Sequence, residues 1–294
     1  MTPNLNRRRS EDLRSPVVSA TLDMQAHHEK SDAATSPSLE MQVQQPMASE
    51  ASRPSFSDRK DLPIHLSMSK NIRLMQEPRL FSEAELDERK IIYPEMSDRR
   101  IVNVFRDIRT KLLQVSRGQN FVGLVVPSCS RAGGTLFSLN LAASIAFDDS
   151  KTALVIDCNL RNPSLHKILD IEPEFDLVDF LENEDLDIDK VIYSSGIPRL
   201  RVIPVGSRKE SGGEAFTSLR MQAFLDVLKS RYPDRYIILD GPSLDDSADA
   251  RILAELCDLA TIVVPYGLST TSEVIDAANA IGKSKLAGVV MNYT

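Results

Sequence analysis

The chain has 294 residues, 42% of them apolar and 26% charged, so it can bury one full core; its net charge of −7 leaves no footprint for nucleic acid. Its three cysteines, Cys129, Cys158 and Cys257, are odd in number and follow no ligand spacing, which points to a reducing cytoplasm and no structural metal. No apolar run is long enough for a bilayer or a signal peptide, so any membrane role must come through a partner.

Residues 1–61 are rich in Ser, Pro, Gln and charge and read as a disordered polar tail, with Arg7, Arg8 and Arg9 as solvated residues. Residues 62–96 read as a linker with one short helix. Ser82-Glu83-Ala84-Glu85 forms a capping-box pattern with Phe81 and Leu86 at the staple positions, and Tyr93-Pro94 ends it. A stronger helix is predicted from near Ser97, with Ile101, Phe105, Ile108, Leu112 and Val115 on one face and Arg106 and Arg109 on another.

From Phe121 onward, strands and helices alternate. The predicted strands are 121–126, 153–157, 200–204, 236–240, 259–264 and 287–292, short and nearly continuous apolar runs of the kind covered on both faces. The helical patterns between them lie at 135–147, in parts of 164–193, and at 217–232, 248–256 and 271–283. This order implies an α/β fold with a doubly wound, mainly parallel sheet and helices on both faces, over residues 97–294.

In such sheets ligands sit at the carboxyl ends of the strands. Three features converge there: the small-residue loop 127–135 opening a helix, Asp157 at the end of one strand, and Asp240 at the end of another. A loop leading into a helix presents backbone N–H groups and a helix N-terminus to phosphate. The two carboxylates can hold Mg²⁺ through its water shell, with the Thr135 hydroxyl as a direct ligand. Asp and Thr are also ordinary turn and cap residues, and that reading stays open beside the functional one.

On these residues the chain from about Ser97 to its end resembles the bacterial tyrosine kinases of polysaccharide biosynthesis, within the P-loop ATPase superfamily. Residues 81–113 look like the N-terminal region of exosortase-associated autokinases. LVVPSCSRAGGTLFSLNLAAS occupies the family's Walker A strand, loop and helix. ALVIDCNLRNPSLHKIL resembles its second Walker motif with Arg161, Pro163 and His166, and YIILDGPS its Walker B strand. The resemblance implies ATP and Mg²⁺ as ligands, with Ser130, Arg131, Ala132, Gly133, Gly134 and Thr135 around the phosphates and Asn292 near the adenine. It implies Asp157 and Asp240 as the family-equivalent catalytic carboxylates. It also implies that Arg106 and Arg109 serve self-association, although Asn103 stands where the family motif has glutamate.

The departures cluster at the chemistry. Ser130, Arg131 and Ala132 replace a Pro-Gly-acidic run, Gly134 replaces the lysine, Asn159 replaces a second acidic residue, and the sequence stops at Tyr293-Thr294 without the family's tyrosine cluster. A charge-assisted hydrogen bond is worth about 1.5–3 kcal/mol, so losing the lysine weakens nucleotide binding roughly ten- to a hundred-fold. Removing one positioned cation slows phosphoryl transfer by about 10²–10³. Arg131, a planar fork in place of a flexible point charge, reads as idle. Restoring lysine at position 134 is expected to recover binding if the rest of the cradle is intact.

The resulting expectation is a degenerate kinase-like protein that regulates or scaffolds exopolysaccharide synthesis and export. It would be cytoplasmic and peripheral at the inner membrane, on a membrane chain-length-determinant protein. Further partners would be a second copy or an intact kinase. Two alternatives stay open: an active ATP-dependent autokinase and a partitioning-type ATPase. The second lacks support from basic composition or an amphipathic membrane helix.

Overall fold

The computed structural model describes Val17–Val18, residue 75, and residues 78–206, 216–217, 219–245 and 248–293. The expectation for residues 1–61 otherwise lies outside the described residues. The strands are β1 (Val17–Val18), β2 (Val122–Pro127), β3 (Thr152–Asp157), β4 (Tyr193–Ser194), β5 (Leu200–Ile203), β6 (Arg235–Asp240), β7 (Leu259–Pro265) and β8 (Leu286–Asn292). They form one sheet in the order β1-β8-β7-β2-β6-β3-β5-β4. The six inner strands run parallel, and the two-residue strands at either edge pair antiparallel. The six long strands match the expected apolar runs to within about one residue. The edge strands are too short to leave a sequence pattern.

Every residue of β2, β3, β6 and β7 is buried, which is why these strands read as continuous apolar runs without alternation. The helices are α1 (Glu83–Glu88), α2 (Arg99–Val115), α3 (Gly134–Ala146), α4 (Leu165–Ile168), α5 (Leu177–Glu182), α6 (Leu219–Arg231), α7 (Asp249–Leu256) and α8 (Thr271–Ile281). One sheet face is covered by α2, α3 and α4, the other by α5, α6, α7 and α8.

Helix α3 is apolar nearly all round because it lies between the sheet and α2, where Phe105 and Phe137 meet at 5.4 Å. On α2 the buried stripe is Val102, Phe105, Ile108 and Leu112. The stripe is turned slightly from the expected face: Ile101 is half-buried and Val115 is exposed.

The capping box at Ser82 and Glu85 is present, with both reciprocal bonds made. The segment after it behaves differently from a linker. Ile91, Ile92 and Tyr93 are buried in the core on the α3 face. The Asn140 side chain of α3 accepts from the Ile92 N–H at 2.7 Å and donates to the Lys90 carbonyl at 3.0 Å. Phe81 packs over Gly196, where a Cβ would lie 2.7 Å from its ring and where φ is +78°. Residues 81–93 are therefore part of the folded unit that begins, from sequence, at residue 97.

Candidate functional site

The order β7-β2-β6-β3 brings the ends of three parallel strands side by side. Pro127 ends β2 and opens the loop into α3, Asp240 ends β6 and Asp157 ends β3. Asp157 and Asp240 are direct partners in the β3–β6 ladder, and both are fully buried.

The Ser138 hydroxyl donates to Asp240 Oδ1 at 2.8 Å and also lies 3.1 Å from the Gly134 carbonyl oxygen. Asp240 Oδ2 is buried and has no hydrogen-bond partner among the described residues. Burial pushes the Asp240 carboxyl up to about 6, against the lowering influence of the Thr135 and Ser138 hydroxyls. Burial, and then the neighbouring Asp240 charge, push Asp157 well above the usual carboxylate range, against the N–H groups of Asn159, Leu165 and Ser164. Two buried carboxylates at adjacent strand ends disfavour each other's charged form, a penalty that a bound cation would relieve.

Asp157 also has a local structural task. Its Oδ1 accepts from Asn159 N–H at 3.0 Å and its Oδ2 from Leu165 N–H at 3.3 Å, which closes the turn between β3 and α4. Asn159 completes that turn, its side-chain oxygen accepting from Asn162 N–H at 3.2 Å. The Ser164 hydroxyl donates to Thr135 Oγ1 at 3.1 Å, joining this turn to the start of α3. Ser138 and Ser164 are thus members of the site that sequence reasoning missed. The legible signal for Ser138 was a polar residue one turn into an otherwise apolar helix.

The loop holds the expected strand, loop and helix shape. Gly133 takes the left-handed conformation at φ +76° and serves as N-cap of α3 with no side-chain cap bond. The first amides of α3 are left to a ligand or water. The Ala132 N–H does not share this freedom, because it donates to Cys129 O at 3.0 Å, and the Ala132 side chain is buried. Ser130 and Arg131 are exposed on the outer turn of the loop. Asn292, at the end of β8, donates through Nδ2 to the Ala132 carbonyl at 3.0 Å and so ties the last strand to the loop.

Gly134 is the buried first residue of α3. A Cβ there would lie 2.3 Å from Pro127 Cγ, so the position expected to hold lysine is filled by a proline ring.

The orphaned Asp240 Oδ2, the paired carboxylate and the Thr135 hydroxyl form an oxygen-rich set that fits a hard divalent cation. No group of three or more His, Cys, Asp or Glu converges among the described residues, so water or phosphate oxygens would complete the coordination. Such an ion would neutralise phosphate charge. Asp157 and Asp240 would hold it from the strand ends, and Thr135 from the helix start.

The remaining sequence candidates lie elsewhere. Arg109 donates to the Ser144 carbonyl at 2.7 Å, and burial lowers its pKa. The Arg106 guanidinium lies 5.9 Å from the Phe147 ring centre. Both arginines are engaged on the C-terminal end of α3 within the same chain. His166 is half-buried, and its pKa is lowered chiefly by burial. No described helix is long and apolar enough to cross a membrane.

No protein-family model matches the chain. It is 26% identical over 191 residues to the putative tyrosine-protein kinase CapB of Staphylococcus aureus, spanning 64% of this chain and 82% of that protein. It is 27% identical over 191 residues to the tyrosine-protein kinase YwqD of Bacillus subtilis, spanning 64% and 79%. Against the tyrosine-protein kinase ptk of Acinetobacter johnsonii the match is 23% over 235 residues, 79% of this chain but only 31% of that protein.

Among solved structures, the kinase domain of the Escherichia coli tyrosine kinase ETK superposes with a TM-score of 0.62 at 24% identity, covering 74% of this chain and 88% of that one. The chimerical protein CapA2B2 gives 0.63 at 22%, covering 78% and 99%. At these identities the superpositions establish the fold. The relatives of this chain are bacterial tyrosine-protein kinases, with the succinoglycan biosynthesis transport protein ExoP of Rhizobium meliloti at 26% identity over 170 residues, 55% of this chain and 21% of that protein.

Proposed function

We propose that this chain is a tyrosine-kinase-like component of exopolysaccharide biosynthesis that acts mainly by regulation or scaffolding, with weak Mg²⁺–nucleotide binding and little or no phosphoryl transfer. The observation that carries the reading is the packing of Gly134 against Pro127, where the family resemblance expects lysine. Without that cation, phosphate binding falls to the amides of α3 and the ion held by Asp157 and Asp240. Transfer then loses a charge that would act in the transition state. The partner consistent with the relatives is a membrane chain-length-determinant protein. A second copy or an intact kinase are the other candidates.

A second reading, an active autokinase, draws on one observation: the carboxylate and hydroxyl cluster around Asp240 is intact. One experiment separates the two. Titration with labelled ATP and Mg²⁺, followed by assays for phosphotyrosine and released phosphate, is expected to give weak binding without turnover. Turnover that disappears in Asp240→Ala would establish the active reading. No binding at millimolar nucleotide would leave a scaffold that does not sense nucleotide.

A further inference from the structure

Gly134 is helical, and its φ lies outside the left-handed region, so its backbone conformation is one any residue adopts. At such a position alanine is normally the more stabilising residue, because glycine gives up more backbone freedom on folding. The space around it favours glycine instead. A Cβ at Gly134 would lie 2.3 Å from Pro127 Cγ, 3.1 Å from Cδ and 3.4 Å from Cβ, whereas carbon atoms pack at about 3.5–4.0 Å.

Pro127 cannot swing aside as a long side chain would. Its ring is closed onto its own backbone, it is buried, and it ends a central strand. That strand end is held from two sides. Pro127 pairs with Val263 in the β2–β7 ladder, and its carbonyl accepts from Leu244 N–H at 3.1 Å.

We propose that Pro127 and Gly134 form an interlocked pair in which the proline ring stands in the space of a side chain at position 134, making Pro127 the steric determinant that leaves anion binding at this loop to backbone amides. This rests on the reading of the loop as a nucleotide cradle. It adds that the loss of the lysine spans two residues, so one substitution cannot reverse it. Lysine at 134 needs position 127 to change first.

The test is a double-substitution cycle read by thermal unfolding of the full chain, which needs no ligand. Gly134→Ala is expected to lower Tm by roughly 3–10 °C in the native background. In a Pro127→Ala background the same change is expected to leave Tm unchanged or raise it. A rise in the native background, or an equal fall in both, would overturn the interlock.

Calorimetric titration with Mg²⁺–ATP then tests the consequence. Gly134→Lys alone is expected to gain no affinity or to fail to fold. Pro127→Ala/Gly134→Lys is expected to fold and to bind roughly ten- to a hundred-fold more tightly than Pro127→Ala. A ten-fold gain from Gly134→Lys alone would also overturn the interlock. If the thermal effects reverse sign but the double variant gains no affinity, the interlock stands and the nucleotide-cradle reading falls.

Discussion

Replacing Asp240 by asparagine should stabilise the metal-free protein at neutral pH, although the side chain is buried and hydrogen-bonded. An aspartate moved from its ordinary value near 3.9 to about 6 prefers its protonated form in the fold. Its favourable contribution is fully present below about pH 4 and is lost as pH rises through 6. The difference between those limits is roughly 3 kcal/mol, of which about half is regained on acidifying from pH 7.5 to pH 5. Asparagine keeps an oxygen for the Ser138 hydroxyl and carries no charge to desolvate or to repel Asp157. Thermal melts in chelator at pH 7.5 should place Asp240→Asn roughly 6–12 °C above the native chain, with a flatter pH profile. Added Mg²⁺ should raise the native Tm at pH 7.5 and leave the variant nearly unmoved. A variant that melts lower than the native protein at pH 7.5, or that keeps the native pH slope, would refute the electrostatic account of this pair.

Asn140→Ala should lower stability by about 2–4 kcal/mol in urea unfolding, because it strands the buried Ile92 N–H and the Lys90 carbonyl. Proteolysis within residues 90–98 should become faster in the same variant. Asn292→Ala removes the tie from β8 to the Ala132 carbonyl. It should cost about 1 kcal/mol and speed amide exchange in residues 129–134, measurable by mass spectrometry. Arg109→Ala removes the bond to the Ser144 carbonyl. It should lower stability by about 1–2 kcal/mol in urea unfolding; a lower sedimentation mass in the same variant would support the proposed part of Arg109 in self-association.

The parts of the fold that were legible in sequence are those where one physical cause dominates. The long strands are covered on both faces, so burial alone writes them as apolar runs. Asp157 and Asp240 were visible because each closes such a run at the sheet edge that topology assigns to ligands. Other features depend on partners distant in sequence. Asn140 reads as a polar defect in an apolar helix until Ile92, 48 residues earlier, is placed against it. The phase of α2 was off by part of a turn because Ile101 and Val102 are adjacent and periodicity does not choose between them. Asn292 donates to the Ala132 carbonyl of the loop, 160 residues away in sequence. Pro127 gave no signal because its role is the volume it denies to a residue seven positions later.

On the proposed reading the site divides into a phosphate half and a metal half with different electrostatic balance. In the phosphate half the usual side-chain cation is absent, and the space for it is filled by a proline ring. In the metal half two carboxylates stay fully buried side by side, one of them with an oxygen that has no hydrogen-bond partner among the described residues. Burial disfavours the charged form of both carboxylates, and a divalent cation bound between them would relieve that penalty. A scaffold indifferent to ligands would fold better with either carboxylate neutral, as the Asp240→Asn variant measures. On the proposed reading the two halves are compatible: the ion anchors a nucleotide that the amides of α3 hold weakly, and its occupancy sets the stability of the β2, β3 and β6 strand ends without committing the chain to transfer.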